Sequence, residues 1–208
     1  MSEELKESIS ELLLAENIDG EITEIIPLTG GASAETYKFK VKQDWFVLRK
    51  GSGNTSPLAI LKKDEAFIQN EVFNQGAPVA EIVAVSNENS KLTDAYIMKL
   101  VEGESIARKV LRDERFSQAR KVLAYECGQA LAKIHSVSLE SLTKVPRNDP
   151  YLSLENLYLT YQQFKQPLPV FEYTFRWLKE QKFQEIEPTL VHGDFRLGNL
   201  IVNEEGLA

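Results

Sequence analysis

The sequence predicts an α+β fold in which an antiparallel sheet with one helix comes first and a mainly helical region follows. Three observations carry this prediction. Between Ile22 and Leu100, five segments alternate apolar with polar residues or run as short apolar stretches bounded by turns, as strands do. One segment at helical spacing interrupts them. Beyond Val101 the apolar residues recur almost entirely at the helical period. Strands and helices segregated along a chain indicate α+β architecture.

Residues 3–16 read as an amphipathic helix with Leu5, Ile9, Leu12 and Leu13 on one stripe. A strand from Ile22 to Ile26 leads to a turn at Thr29-Gly30-Gly31. Next, Tyr37, Phe39 and Val41 alternate with Lys38, Lys40 and Lys42. Trp45 to Arg49 forms a third strand after the short Lys42-Gln43-Asp44 turn. Gly51 to Pro57 is a loop, with Ser56 as helix N-cap and Pro57 at the first helical position. Leu58, Leu61, Phe67, Ile68, Val72 and Phe73 then predict a helix as far as Gly76. Strands over 80–86 and 95–100 flank a polar turn at Asn87-Glu88-Asn89-Ser90.

Helices are predicted over 105–112, 116–136, 151–164 and 168–182, followed by strands at 189–192 and 199–202. Six aromatic residues in 151–177, namely Tyr151, Tyr158, Tyr161, Phe164, Phe171 and Trp177, are expected to be mostly core. Glu102-Gly103 divides the chain into a sheet region, 1–101, and a helical region, 102–208. Asn203-Glu204-Glu205-Gly206 reads as a hairpin turn from which the chain should return as a strand. It stops at Ala208, so the helical region is expected to be incomplete.

A chain of 208 residues can bury a real core, and 43% hydrophobic with 26% charged residues is ordinary for a soluble globular protein. The net charge of −7 argues against general affinity for nucleic acid or anionic membranes. The single cysteine, Cys127, excludes an intrachain disulfide. It lies at helical spacing among Leu123, Ala130, Leu131 and Ile134, as a buried structural thiol would. Two histidines and one cysteine make no zinc-site pattern. The N-terminus lacks a basic segment followed by an apolar run, and no apolar stretch approaches the roughly 20 residues that span a bilayer. A cytoplasmic location is expected.

The run His192-Gly193-Asp194-Phe195-Arg196-Leu197-Gly198-Asn199 carries the chemistry. An Asp followed five residues later by an Asn, just after a His, sits between the apolar pairs Leu190-Val191 and Leu200-Ile201. Four fixed positions of this kind arise by chance in about one chain per thousand of this size. A loop that leaves a strand and folds back can aim the carboxylate at a hydroxyl while the amide oxygen faces a metal. The order resembles the catalytic loop of kinases, where the Asp accepts the proton of the attacking hydroxyl and the Asn holds magnesium on the ATP phosphates.

The resemblance extends from Leu28-Thr29-Gly30-Gly31 through Val47-Leu48-Arg49 and Ile97-Met98 to this loop. On these residues the chain resembles the aminoglycoside phosphotransferase and choline kinase family, the small-molecule branch of the protein-kinase-like fold. Its Phe195–Leu200 version is most similar to phosphotransferases linked to acyl-CoA dehydrogenases. The resemblance implies a two-lobed enzyme that transfers the γ-phosphoryl group of ATP, or GTP in some members, to a small-molecule hydroxyl with Mg2+. It implies Asp194 as base, Asn199 as magnesium ligand and Arg196 beside the transferred phosphoryl group. His192 is expected to buttress the loop.

Gly30, Gly31, Ala32 and Ser33 fall where the family has its phosphate-covering loop; small residues there let backbone amides approach phosphate oxygens. Arg49 stands where kinases carry the phosphate-holding lysine, and Glu71 matches the acid that pairs with it. Lys50 competes for that role, but strand alternation points it to the opposite face. Met98, Lys99 and Val101 resemble the hinge whose backbone bonds the adenine edge. His135 is expected to pack or cap its helix. The second metal-binding acid of kinases is expected beyond Ala208, so these 208 residues would show little turnover. The alternative is a nucleotide-binding or scaffolding protein that keeps the fold without the reaction.

Overall fold

Two-residue and short polar connections leave most consecutive strands no choice but antiparallel pairing, and the sheet is built accordingly. A computed structural model describes residues 3–28, 34–51, 60–182 and 186–208. Strands β1 (Ile22–Leu28), β2 (Ala34–Val41), β3 (Asp44–Gly51), β4 (Ile82–Val85) and β5 (Ala95–Lys99) form one sheet in the order β1-β2-β3-β5-β4. Lys42, with φ +55°, reverses the chain between β2 and β3, where Val41 pairs with Asp44. Leu28, Thr36, Arg49 and Tyr96 fall in one cross-strand row.

The helix α1 (Glu3–Ala15) buries Ile9, Leu12 and Leu13 in a core with Phe39, Val41, Phe46, Leu48 and Ile97 from the sheet. Phe39 and Phe46 stack there with ring centroids 5.7 Å apart. The helix α2 (Lys62–Asn74) lies against β3, β4 and β5. It starts later than the sequence suggests. Ile60 and Leu61 are not helical, and the amides of Asp64 and Glu65 bond the Leu61 carbonyl. Ser56 and Pro57, the expected start, lie outside the described residues.

Beyond β5 come α3 (Ala107–Arg112), a 3-10 turn at Glu114–Phe116 and α4 (Ala119–His135). These belong to the same compact unit as the sheet, which comprises Met1–Lys144 and Thr189–Ala208. Glu104 and Val202 exchange both backbone hydrogen bonds, at 2.9 and 3.0 Å. That tie joins the segment after β5 to the segment after the candidate loop. Gly103 makes it possible, because a Cβ there would lie 2.5 Å from Cγ2 of Ile201.

The strands expected at 189–192 and 199–202 do not form. Val202 makes only isolated bridges to Glu104 and Leu207, with no partner strand long enough to build a ladder. The turn at 203–206 is present. Asn203 Oδ1 accepts the amides of Glu205 and Gly206, and the chain reverses to pair Val202 with Leu207.

Val145–Pro188 form a second unit. It holds α5 (Pro150–Gln163) and α6 (Pro169–Glu180), each opening on a proline. Asp149 caps α5 by accepting the amides of Tyr151 and Leu152. Tyr158, Tyr161 and Phe175 cluster between these helices, with Tyr158 and Phe175 centroids 5.0 Å apart. The expected aromatic core is mostly not core. Tyr151, Phe164, Phe171 and Trp177 are exposed, and among the described residues of this unit only Leu154 and Phe175 are buried. Two helices can cover only the stripe each turns to the other.

Candidate functional site

The segment from His192 to Asn199 alternates between solvent and core. Asp194, Arg196 and Asn199 are exposed, whereas Phe195 and Leu197 pack against Val110, Phe116, Ala119, Leu200 and Val202. The apolar residues anchor the loop and the polar ones between them face outward. Gly193 takes φ +81°, a left-handed backbone that a side chain would strain. Nδ1 of His192 accepts the Asp194 amide at 3.3 Å, and its ring meets Phe195 edge-on with centroids 5.5 Å apart. His192 thus buttresses the loop, as the sequence suggests. One 3-10 turn, Leu197–Asn199, then returns Asn199 to Asp194.

Two side chains meet at the Asp194 carboxylate. Asn199 donates its amide nitrogen to Oδ2 and to the main-chain oxygen of Asp194, both at 2.8 Å. Both partners are acceptors, so the nitrogen must face them and Oδ1 of Asn199 is left as an acceptor. Nε of Arg196 donates to both carboxylate oxygens at 3.1 Å. The Asn199 bond, and after it the Arg196 bond, hold the Asp194 carboxyl below its ordinary value, so it stays ionised. The Asp194–Arg196 pair is 62% and 65% exposed, so solvent screens it and it adds little to stability.

Arg49 sits near the end of β3, directly across from Tyr96 on β5. Its guanidinium pairs with Oε1 of Glu65 at 2.8 Å and lies 5.9 Å from the Tyr96 ring centroid. The Tyr96 hydroxyl donates to that same oxygen at 2.8 Å, while Nζ of Lys62 takes Oε2. Glu71, the acid expected from the sequence, is not the partner. Six residues after Glu65, it stands about 9 Å further along the helix and ~240° around it. It makes no ion pair among the described residues. Lys50 points away and pairs with Glu35 at 3.4 Å, in line with strand alternation.

Burial would raise the Glu65 carboxyl, but the Arg49 charge and the bonds from Lys62 and Tyr96 outweigh it and hold the group below its usual value. The fully buried Tyr96 phenol is pushed well up, burial being the main cause. Glu65, Lys62 and Tyr96 were not singled out from sequence. The available signal was acidic Asp64-Glu65, which marks a first helical turn once the start is placed after Leu61.

Met98 is half-buried, and its sulfur receives Nε2 of Gln69 at 3.7 Å. Lys99 turns its side chain to Glu81 at 2.7 Å. Among the described residues no backbone carbonyl takes the Val101 amide. Gly30, Gly31, Ala32 and Ser33 lie outside the described residues. The pairing of Leu28 with Thr36, and of Thr36 with Arg49, puts the strand ends flanking them at the Arg49 end of the sheet. His135 is exposed at the C-terminal turn of α4, and Cys127 is half-buried rather than buried. Among the described residues no hydrogen bond or ion pair links the Arg49 group to the Asp194 group.

The model of APH, the phosphotransferase enzyme family, matches residues 24–208. The chain is 30% identical over 190 residues to acyl-CoA dehydrogenase family member 10 of Mus musculus, a match covering 88% of this chain and 18% of that protein. It spans between 18% and 23% of the length of the first curated relatives it matches. A crystal structure of a protein from Ralstonia eutropha, described as an aminoglycoside phosphotransferase, superposes with TM-score 0.76 at 21% identity. That alignment covers 97% of this chain and 62% of the other. Aminoglycoside phosphotransferase APH(4)-Ia, in ternary complex with AMP-PNP and hygromycin B, superposes with TM-score 0.61 at 13% identity, over 96% and 68% of the two chains. The fold is therefore kinase-like. Among the described residues no helix is long and apolar enough to cross a membrane.

Proposed function

The chain belongs to the phosphotransferase enzyme family, and on that footing we propose that it transfers the γ-phosphoryl group of ATP, or GTP, to a hydroxyl of a small molecule. The observation that supports this reading best is the state of Asp194. It is an exposed carboxylate, kept ionised and aimed by Asn199 and Arg196, on a loop anchored in core. A group placed so can receive or orient the proton of an incoming hydroxyl, worth ~10²–10⁴-fold in rate. Phosphoryl transfer asks little covalent chemistry of a protein, so positioning and charge stabilisation carry the larger share.

Arg49 holds the α- and β-phosphates, with Glu65 in the place the sequence reading gave to Glu71. Gly30, Gly31, Ala32 and Ser33 cover the phosphates with their amides. Met98 lines the adenine pocket, and the backbone of Lys99 and Val101 bonds the adenine edge; that no backbone carbonyl among the described residues takes the Val101 amide supports this. Arg196 leaves Asp194 to meet the transferred phosphoryl group. Residues 1–101 thus supply the nucleotide contacts and 102–208 the catalytic loop. The setting is cytoplasmic.

Magnesium fits Asn199, whose nitrogen is committed to Asp194 and whose oxygen is not. Among the described residues no group of three or more His, Cys, Asp or Glu could hold a metal. Nucleotide phosphates would supply part of its remaining oxygens, which is how magnesium is commonly held. When bound, it would supply charge neutralisation of the phosphates.

Titration calorimetry with ATP and magnesium, followed by a panel of hydroxyl compounds scored by ADP release, tests the reading. ATP should bind, and Asn199→Ala should abolish the magnesium-dependent part of that affinity. ATP binding too weak to detect at millimolar concentration would overturn it.

A further inference from the structure

Lysine is rarely buried, yet the side chain of Lys62, the first residue of α2, is only 8% exposed. Its Nζ meets Oε2 of Glu65, while Arg49 and the Tyr96 hydroxyl share Oε1. Each oxygen of one carboxylate therefore has its own cation. The linked group is two cations and one anion, a net charge of +1.

Neighbouring charges do not cancel it. Lys50 and Glu35 pair with each other. Asp64 faces Lys144 at 3.9 Å. Asp94 accepts the Lys63 amide and, among the described residues, forms no ion pair with either cation. An Arg49–Glu65 pair alone would present no net charge to an arriving anion. With Lys62 committed to Glu65, the Arg49 charge is uncompensated, and a partly desolvated excess cation is relieved when an anion arrives.

We propose that Lys62 turns the Arg49 cluster into an anion site by neutralising Glu65, and that the ligand it selects is a polyphosphate chain. Lys62 is a positioning residue in this scheme: it acts through Glu65 and touches no phosphate. The inference rests on the reading that nucleotide phosphates bind at Arg49. Its consequence is a ladder in which Lys62 matters more as the ligand carries more charge.

The test is calorimetric binding of adenosine, AMP, ADP and ATP, without divalent metal, to the wild-type chain and to Lys62→Gln. The variant keeps a donor for Glu65 and removes the charge. ATP affinity should fall about tenfold, ADP less, AMP about twofold, with adenosine unchanged. Lys62→Arg should restore the ladder. An equal loss for all four ligands would mean that Lys62 only braces α2, and would overturn the inference. So would a wild-type ladder that survives unchanged in Lys62→Gln. A wild-type chain that binds ATP no better than adenosine would instead sink the reading of phosphates at Arg49. Should Lys62→Gln not fold, Lys62→Met is measured in the same series, with melting temperature as the check on folding.

Discussion

Glu65 and Asp194 each face an arginine, and each is held ionised, but in opposite surroundings. The Glu65 side chain is 27% exposed and takes Arg49 and Tyr96 from two strands of the sheet, together with Lys62 from its own helical turn. Asp194 is exposed, and its donors, Arg196 and Asn199, come from its own loop within five residues. For Glu65, opposite charge has to overcome burial. For Asp194, hydrogen bonding from Asn199 leads and burial opposes it little. A carboxylate locked by long-range partners organises charge around it. One held by its own loop, open to solvent, stays available to a substrate.

That contrast makes opposite demands on the two sites. Asp194→Asn should cut whatever phosphoryl transfer the wild-type chain supports by ~10²–10⁴-fold and leave the melting temperature unchanged, as steady-state kinetics and a thermal melt would show. Equal loss of stability would mean the loop is structural. Glu65→Ala should instead act first on stability. Arg49 and Lys62 would be left facing each other, and urea unfolding should reveal a loss of about 2 kcal/mol.

Acid and alkali probe the same cluster from two sides. The Glu65 carboxyl is depressed in the fold, so its contribution is present above the ordinary value of 4.5 and is lost as pH falls through the folded value. Tyr96 is raised, so its contribution is full below 10.0 and fades as pH rises beyond it. Unfolding free energies measured across pH should slope at both ends, with Glu65→Gln flattening the acid limb and Tyr96→Phe the alkaline one. The smallest effect belongs to Arg196→Ala. Its exposed pair is screened by solvent, so the melting temperature should not move measurably, and a clear shift in the melt would show that the loop depends on it.

The sheet was readable because alternation is local: Tyr37, Phe39 and Val41 against Lys38, Lys40 and Lys42 mark a strand with one covered face. The same logic failed in α5 and α6. Helical spacing of Tyr151, Phe164 and Trp177 shows a stripe but not whether it is buried, and all three are exposed. The flanks of the candidate loop also misled, since Leu200 and Val202 are apolar because they enter a core. A strand needs a neighbour to pair with, and Val202 finds only single bridges.

Residue order alone specified the α+β pattern, the turn at 203–206 and the grouping of Asp194, Arg196 and Asn199, because each is decided within a few residues of chain. The partner of Arg49 was settled elsewhere. It depends on where α2 begins and on the register that sets Tyr96 opposite β3, and both arise only when distant segments pack. A shift of six positions along one helix exchanges Glu71 for Glu65, and with it brings Lys62 into the same charge cluster.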